Sequence, residues 1–332
     1  MRCASAASAS EARRGTAMRH LFLMDPIGSV RIDKDSTFAL MCDAQRRGHS
    51  VGYGLVGGLY LREGVVRAAW QEATLTREQG RHASLGAVRD DALEAFDIVW
   101  MRKDPPFDMG YIVNTYLLEL AEARGAFVVN APAGLRGMNE KAWALRFPAL
   151  VPTSLLTEDM SKIRGFAGEL GAIVVKPLDG NGGEGVFIVR HDDPNIGVIL
   201  EASTRHGTRK VLAQRYIPEA KLGDKRIILI DGVPAGALNR VPQGVDHRGN
   251  IHVGAAVRQS TLTERDAAIC AALGPHLAAA GQLFVGIDVI GDWLTEVNVT
   301  SPTGIHEINA FDGVCLEAQI VDAAIARRAR RG

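Results

Sequence analysis

The sequence predicts an α/β region with a largely parallel sheet, followed by a region of antiparallel α+β character. Two observations carry this. Up to about residue 136, strand-like and helix-like patterns alternate; beyond about residue 137, short strands are separated by glycine-rich loops with fewer helices between them. A chain of 332 residues is also long enough for two or three packed units.

Residues 20–24 are a short apolar run that ends in Asp25-Pro26. Residues 36–47 have helical character, with Asp35 or Ser36 placed to cap the start and Gly48 to stop it. The stretch 57–86 is hard to assign and reads as an irregular excursion. Residues 98–101 are again apolar. Ile112, Tyr116 and Leu120 then recur every four residues, as on one helix face, before Gly125 ends that helix and residues 126–129 form another strand. In the second region strands are expected at 172–175, 185–189, 209–213, 226–230 and 283–290. Helices are expected at 263–280, with Ile269, Leu273 and Leu277 on one face, and at 314–328.

Lys plus Arg equals Asp plus Glu, 38 each, so no global field draws nucleic acid or an anionic membrane, and a small-molecule protein is the default. No apolar run approaches the roughly 18–20 residues of a membrane span. The four cysteines (Cys3, Cys42, Cys270, Cys315) form no CxxC pair and no metal-ligand spacing, which fits reduced thiols in a cytoplasmic protein. Residues 1–17 are rich in Ser and Ala and lack an apolar core, so they read as a disordered extension rather than a secretory signal.

Four constellations carry candidate chemistry. The first runs from Val174 to Gly185: a buried strand delivers Lys176, and Gly180, Gly182 and Gly183 follow in a loop. Glycines let backbone N–H groups approach an anion, and Lys176 adds a point charge for a phosphate. The P-loop order is absent, since no Gly-Lys-Ser/Thr opens a helix. A plain glycine-rich turn would look the same. The second pairs Asp288 with Glu296 and Asn298. Glu296 and Asn298 are two apart on a strand and share a face, and hard oxygens of this kind suit Mg²⁺ that also holds phosphates. Solvent-facing polar residues on a strand are the bland alternative. A strict two-residue loop at Gly291-Asp292 would set Asp288 opposite Thr295, so the metal hypothesis predicts a loop of three or five residues. The third is Gln214-Arg215-Tyr216-Ile217-Pro218, a strand end able to present backbone groups to a purine edge. The fourth is Asp224-Lys225-Arg226 with Arg240, where arginines suit charge on a transferring phosphoryl group, or else ordinary surface ion pairs.

In this order the segments resemble the ATP-grasp superfamily, and more closely the prokaryotic glutathione synthetases, over nearly the whole chain from about His20 to Arg328. The stretches concerned are MDPI at 24–27, KDS at 34–36, MRKDPPFD at 101–108, NEK at 139–141, KPLDG at 176–180, GDKR at 223–226, PQG at 242–244 and TEVNVTSPTG at 295–304. The resemblance implies an N-terminal parallel α/β domain (18–136) followed by a two-lobed ATP-grasp domain, small lobe 137–217 and large lobe 218–332. It implies ATP-dependent joining of γ-glutamylcysteine and glycine through an acyl phosphate, by a cytoplasmic homo-oligomer, tetrameric in the family. Lys141 and Lys176 would bind ATP phosphates under the glycine loop, Gln214, Tyr216 and Ile217 would surround adenine, and Asp224 would lie near the ribose. Asp288, Glu296 and Asn298 would hold two Mg²⁺ (or Mn²⁺) ions, and Arg226 and Arg240 would stabilise the phosphoryl group. Asp25, Arg102, Asp104, Ser301 and Thr303 would lie toward the peptide and glycine. Alternatives are another ATP-grasp ligase with a different acid and amine, or a non-catalytic ATP-binding regulator. Residues 243–259 are the candidate lid. There the family's GGRG-like run is replaced by Gly254-Ala255-Ala256-Val257-Arg258, which bears on closure and selectivity rather than on the ATP site.

Overall fold

The computed structural model describes residues 17–180, 183–243 and 256–331. Among these, three sheets organise the chain. Among the described residues no helix is long and apolar enough to cross a membrane.

The first sheet contains β1 (Arg19–Met24), β2 (Ser50–Leu55), β3 (Leu59–Arg62), β4 (Val65–Leu75), β5 (Ala83–Ala92), β6 (Ile98–Met101) and β7 (Val128–Val129), with α1 (Ser36–Arg46), α2 (Met109–Ala123) and α3 (Pro132–Gly137) between or after them. Its order is β3-β4-β2-β1-β6-β7, with β5 on β4. The β2-β1-β6-β7 part is parallel, as expected. The stretch 57–86 is not irregular: β3, β4 and β5 form an antiparallel meander. Its signals are the turn Glu63-Gly64, whose residues both take positive φ (52° and 77°), and the period-2 burial of Val66, Ala68 and Trp70.

Asp35 caps α1 by accepting the Phe38 N–H at 2.7 Å. In α2 the face marked by the four-residue spacing is the outer one. Tyr111, Thr115, Leu118 and Ala121 are buried, whereas Tyr116 and Leu120 are about half exposed, at 50% and 46%. The helix is apolar nearly all round, so spacing alone does not tell its two faces apart.

The second sheet, β10-β9-β11-β8, is antiparallel and comprises β8 (Ser154–Thr157), β9 (Ala172–Pro177), β10 (Phe187–Arg190) and β11 (Val211–Arg215). Helices α4 (Met160–Leu170) and α5 (Ile196–Thr204), unforeseen in the sequence, cover it. They close a core of their own, with Ile163, Ala167 and Leu200 against Ile173, Val175 and Val211.

The third sheet, β14-β13-β12-β15-β16, comprises β12 (Asp224–Ile230), β13 (Val233–Val241), β14 (Ala256–Gln259), β15 (Phe284–Ile290) and β16 (Trp293–Asn298), with α6 (Glu264–Ala279), α7 (Ile305–Asp312) and α8 (Leu316–Arg331). Thr263 and Asp266 form a capping box at the start of α6. First and third sheets share their cores: Phe22, Phe38 and Trp100 belong with Ile228, Phe284 and Ile320, while Leu118 and Leu135 belong with Ile227, Leu273 and Val285.

Candidate active site

The site is built by strand register. On β12, Asp224 and Arg226 are two apart and share a face. Asp224 pairs with Arg240 of β13, Arg226 pairs with Asp288 of β15, and Asp288 pairs with Glu296 of β16, with Asn298 two residues beyond. The sheet thus lays a row of charges across four neighbouring strands. The turn at Gly291-Asp292 does have two residues, with Ile290 opposite Trp293, against the longer loop expected. Asp288 still opposes Glu296, because the register shifts beyond the Val289–Leu294 pair and Thr295 is the extra residue of a β-bulge. The Thr295 hydroxyl donates to the Asp288 carbonyl at 3.1 Å within that bulge.

Asp288 is the hub. Arg226 donates to it through Nε at 2.5 Å and Nη2 at 3.0 Å, Arg240 Nη2 lies 3.0 Å from Oδ2, and Asn298 Nδ2 donates to Oδ2 at 3.3 Å. Burial alone would raise the Asp288 pKa, but the two guanidiniums hold it below the ordinary carboxylate range. Asp224 is raised instead: burial outweighs the Arg240 guanidinium that donates to its Oδ2 at 2.5 Å, and the Asp288 charge adds to the rise. The other Asp224 oxygen and Arg240 Nε are buried without hydrogen-bond partners among the described residues.

Lys176, at the end of β9, and Lys141, before the second sheet, converge on Glu296, each Nζ 3.9 Å from Oε1. Lys141 also donates to the Gly180 carbonyl at 2.6 Å and bonds the neighbouring Glu140 carboxylate. Glu140 had no role assigned from sequence. Burial, then the Glu296 charge, push its pKa up to about 7. No periodicity announces a buried glutamate in a loop; the NEK run was the available signal. At the second sheet, Gln214 Nε2 donates to the Ser154 hydroxyl at 3.0 Å, and Tyr216 N–H donates to the Ala172 carbonyl at 3.1 Å. Tyr216 and Ile217 then connect the second sheet to the third.

From the first sheet come Asp25, Arg102 and Asp104. Asp25 accepts the Asp104 N–H at 2.9 Å and pairs with Lys103 at 2.8 Å. Arg102 is buried. It donates to the Thr37 hydroxyl (3.1 Å) and to the carbonyls of Thr300 (3.3 Å) and Pro302 (3.2 Å), so it clamps the loop that carries Ser301 and Thr303.

The candidate residues assigned from sequence, Gly182 apart, line one cleft of about 990 Å³, and Glu140 joins them. Gly182 lies outside the described residues, as does most of the candidate lid 243–259. Of the lid, Gln243 and Ala256–Gln259 are described; the latter is the edge strand β14, with Val257 opposite Arg240. Among the described residues no group of three or more His, Cys, Asp or Glu is arranged to hold a metal ion by itself. Asp288, Glu296 and Asn298 nevertheless bring hard oxygens together. That donor set fits a divalent ion completed by phosphate oxygens, and the unpartnered Asp224 oxygen and Arg240 Nε mark a network awaiting further polar groups.

Comparison with known proteins agrees with this geometry. The model of the prokaryotic glutathione synthetase N-terminal domain matches residues 18–136, and that of the prokaryotic glutathione synthetase ATP-grasp domain matches residues 140–313. The chain is 49% identical over 312 residues to the glutathione synthetase of Gloeobacter violaceus, covering 92% of this chain and 96% of that one. It is 47% identical over 306 residues to that of Brucella melitensis, covering 92% and 97%. In fold it resembles the D-cycloserine synthetase DcsG (TM-score 0.64, 17% identity, 94% of this chain and 100% of that one). It likewise resembles the ATP-grasp ligase PsnB complexed with a minimal precursor (TM-score 0.59, 17% identity, 93% and 99%). With the charged row on the third sheet, the two lysines over it, and these matches, the chain belongs to the prokaryotic glutathione synthetases, ATP-dependent ligases with an ATP-grasp domain.

Proposed function

We propose that this enzyme condenses γ-glutamylcysteine with glycine, with the described site residues in the roles the resemblance implies. The cysteinyl carboxylate attacks the γ-phosphorus of ATP, forming an acyl phosphate and releasing ADP. The glycine amine then attacks the acyl carbon, the C–O bond to phosphate breaks, and phosphate leaves with the amide formed. The observation that carries this reading is the convergence of Lys141, Lys176, Arg226 and Arg240 with Asp288 and Glu296 in one cleft. Four cations suit a reaction in which an anionic carboxylate meets an anionic phosphate, since they offset the repulsion before any bond forms. Positioning does the rest, and no covalent enzyme intermediate is needed.

Lys141 and Lys176 take the phosphate side. Lys141 already bonds the Gly180 carbonyl, so nucleotide phosphates would compete for it with the glycine loop. Gln214, Tyr216 and Ile217 take the adenine side, between second and third sheets. Asp224 is engaged by Arg240 and so acts as its counter-ion as much as a ribose contact. Asp288, Glu296 and Asn298 hold the divalent ions, Mg²⁺ by preference for hard oxygen ligands or Mn²⁺. When bound, such ions neutralise charge on the phosphate oxygens. We take the second sheet as the small lobe (137–217), the first as the N-terminal domain (18–136), and the third as the large lobe (218–332).

The test is ADP release with Mg·ATP, given γ-glutamylcysteine and glycine together and then each alone. Turnover requires both, and Glu296→Ala lowers it on the order of 100-fold or more. Turnover with other amino acids but not with this pair would retain the ligase and discard the substrates.

A further inference from the structure

Glu140, Lys141 and Ala142 form a turn rather than a strand or helix. The Asn139 side-chain oxygen accepts the N–H groups of Lys141 (3.1 Å) and Ala142 (3.0 Å), which bends the chain sharply there. Asn139 Nδ2 donates to the Leu178 carbonyl at 2.8 Å, and the Glu140 carbonyl accepts the Val297 N–H at 2.8 Å. The turn is thereby fixed between the glycine loop and β16, beside Glu296. Neighbouring side chains of a strand point to opposite faces. In this turn they meet, and Lys141 Nζ donates to Glu140 Oε1.

The Lys141 ammonium has three N–H groups to place. One goes to Glu140 and one to the Gly180 carbonyl at 2.6 Å. Glu296 Oε1 stands 3.9 Å away, close enough for attraction but beyond a hydrogen bond, and Lys176 Nζ stands 3.9 Å from the same oxygen. Two ammoniums thus flank one carboxylate oxygen that neither bonds. Lys141 is 3% exposed, and an ammonium so buried needs a counter-charge. With Glu140 uncharged, the carboxylate left within 4 Å of Lys141 among the described residues is Glu296. A Glu296 oxygen bonded to an ammonium serves a divalent ion badly, because two cations then repel across one oxygen.

We propose, on the ligase reading above, that Glu140 is a positioning residue for the metal site: by engaging Lys141 it keeps Glu296 available to a divalent ion. Glu140 makes no bond to the ion and acts through the lysine. Glu140 and Glu296 together also match the charge of Lys141 and Lys176, so neither lysine has to draw on the metal ligand. Nucleotide phosphates then compete for Lys141 with the Gly180 carbonyl and not with Glu296.

The test reads nucleotide binding, which needs neither the acid nor the amine. ADP is titrated calorimetrically over a series of Mg²⁺ concentrations at about pH 8, where Glu140 is ionised. Gln keeps the size of Glu and one acceptor oxygen, so Glu140→Gln preserves the turn and removes the charge. Glu140→Gln raises the Mg²⁺ concentration that gives half of the gain in ADP affinity ~10-fold. In Lys141→Met protein the same substitution leaves that concentration unchanged, since no ammonium remains to compete for Glu296. An equal shift in the Lys141→Met protein would mean that Glu140 attracts the ion directly. Loss of ADP affinity independent of Mg²⁺ would mean that it only holds the fold. Either result, or no shift in Glu140→Gln, would overturn the proposal while the ligase stands. Unaltered protein that binds no ADP, or binds it without regard to Mg²⁺, would overturn the metal and nucleotide reading as well.

Discussion

Asp288 and Glu296 face each other across one ladder, yet they do different work. Asp288 is buried between Arg226 and Arg240, so Asp288→Asn removes the carboxylate paired with Arg226 and leaves Arg240 with Asp224 alone. Stability should fall by about 3–5 kcal/mol, measured by denaturant unfolding. Glu296 is partly exposed and stands 3.9 Å from its lysines, so Glu296→Ala should lower turnover on the order of 100-fold or more with little change in unfolding. Away from the cleft, Trp100 Nε1 donates to His20 Nδ1 at 3.1 Å, which leaves His20 Nε2 as donor to His49 Nδ1 at 2.8 Å. Both rings are therefore neutral. Burial, then the neighbouring His49 and Arg47, lower the His20 pKa to about 3 from 6.5. A folded-state pKa below the unfolded one means that the unfolded chain binds the proton more readily. The stabilisation is thus full above about pH 6.5 and is lost as pH falls toward 3. Unfolding free energy should decline on acidification through that window, and His20→Gln, which keeps an acceptor for Trp100, should flatten the slope. Glu296 and Asn298 were legible as neighbours because strand parity puts them on one face, and Asp224-Lys225-Arg226 stood out as a charged run opening a strand. Their partners across the sheet were not, since pairing depends on register.

Among the elements, the β15–β16 hairpin shows where that limit lies. The metal hypothesis required Asp288 and Glu296 to meet, and by strand parity a longer loop was the way to arrange it. The chain keeps the tight Gly291-Asp292 turn and absorbs the extra residue at Thr295 instead. A bulge has no composition of its own, so the sequence supplied the requirement and not the device. Helices α4 and α5 were missed for a related reason, being short and set among glycine-rich segments that read as loops. Asp231-Gly232 between β12 and β13, both at positive φ (52° and 81°), is by contrast a hairpin turn written in the sequence. For α6, the Thr263 hydroxyl satisfies the Asp266 N–H, while the Asp266 carboxylate accepts the Thr263 N–H and bonds Lys225 of β12. Thr263→Ala should cost about 1 kcal/mol in unfolding free energy and leave KM for ATP unaltered.

At the level of the molecule, core membership divides the chain differently from sequence order. The first and third sheets share packed interiors, while the second, with α4 and α5, has its own. Leu200 is 1% exposed in that separate core. Leu200→Ala should destabilise it by about 2–5 kcal/mol. Hydrogen exchange should then accelerate across 154–215 while amides of β1, β6, β12 and β15 keep their protection. Uniform loss of protection over all three sheets would show instead that the small lobe is not a separate cooperative unit.

The Arg102 clamp also bears on how the protein is made. Arg102 and the carbonyls it grips lie 198 and 200 positions apart in the chain. During synthesis, the segment around β6 leaves the ribosome long before residues 300–302 are translated. For that interval its guanidinium has no loop to hold, and the faces of the first sheet that pack on α7 and α8 stay uncovered. Domains that complete themselves early can fold as they emerge. Here one wall of the cleft waits for residues 300–302, so the nascent chain completes that cleft late.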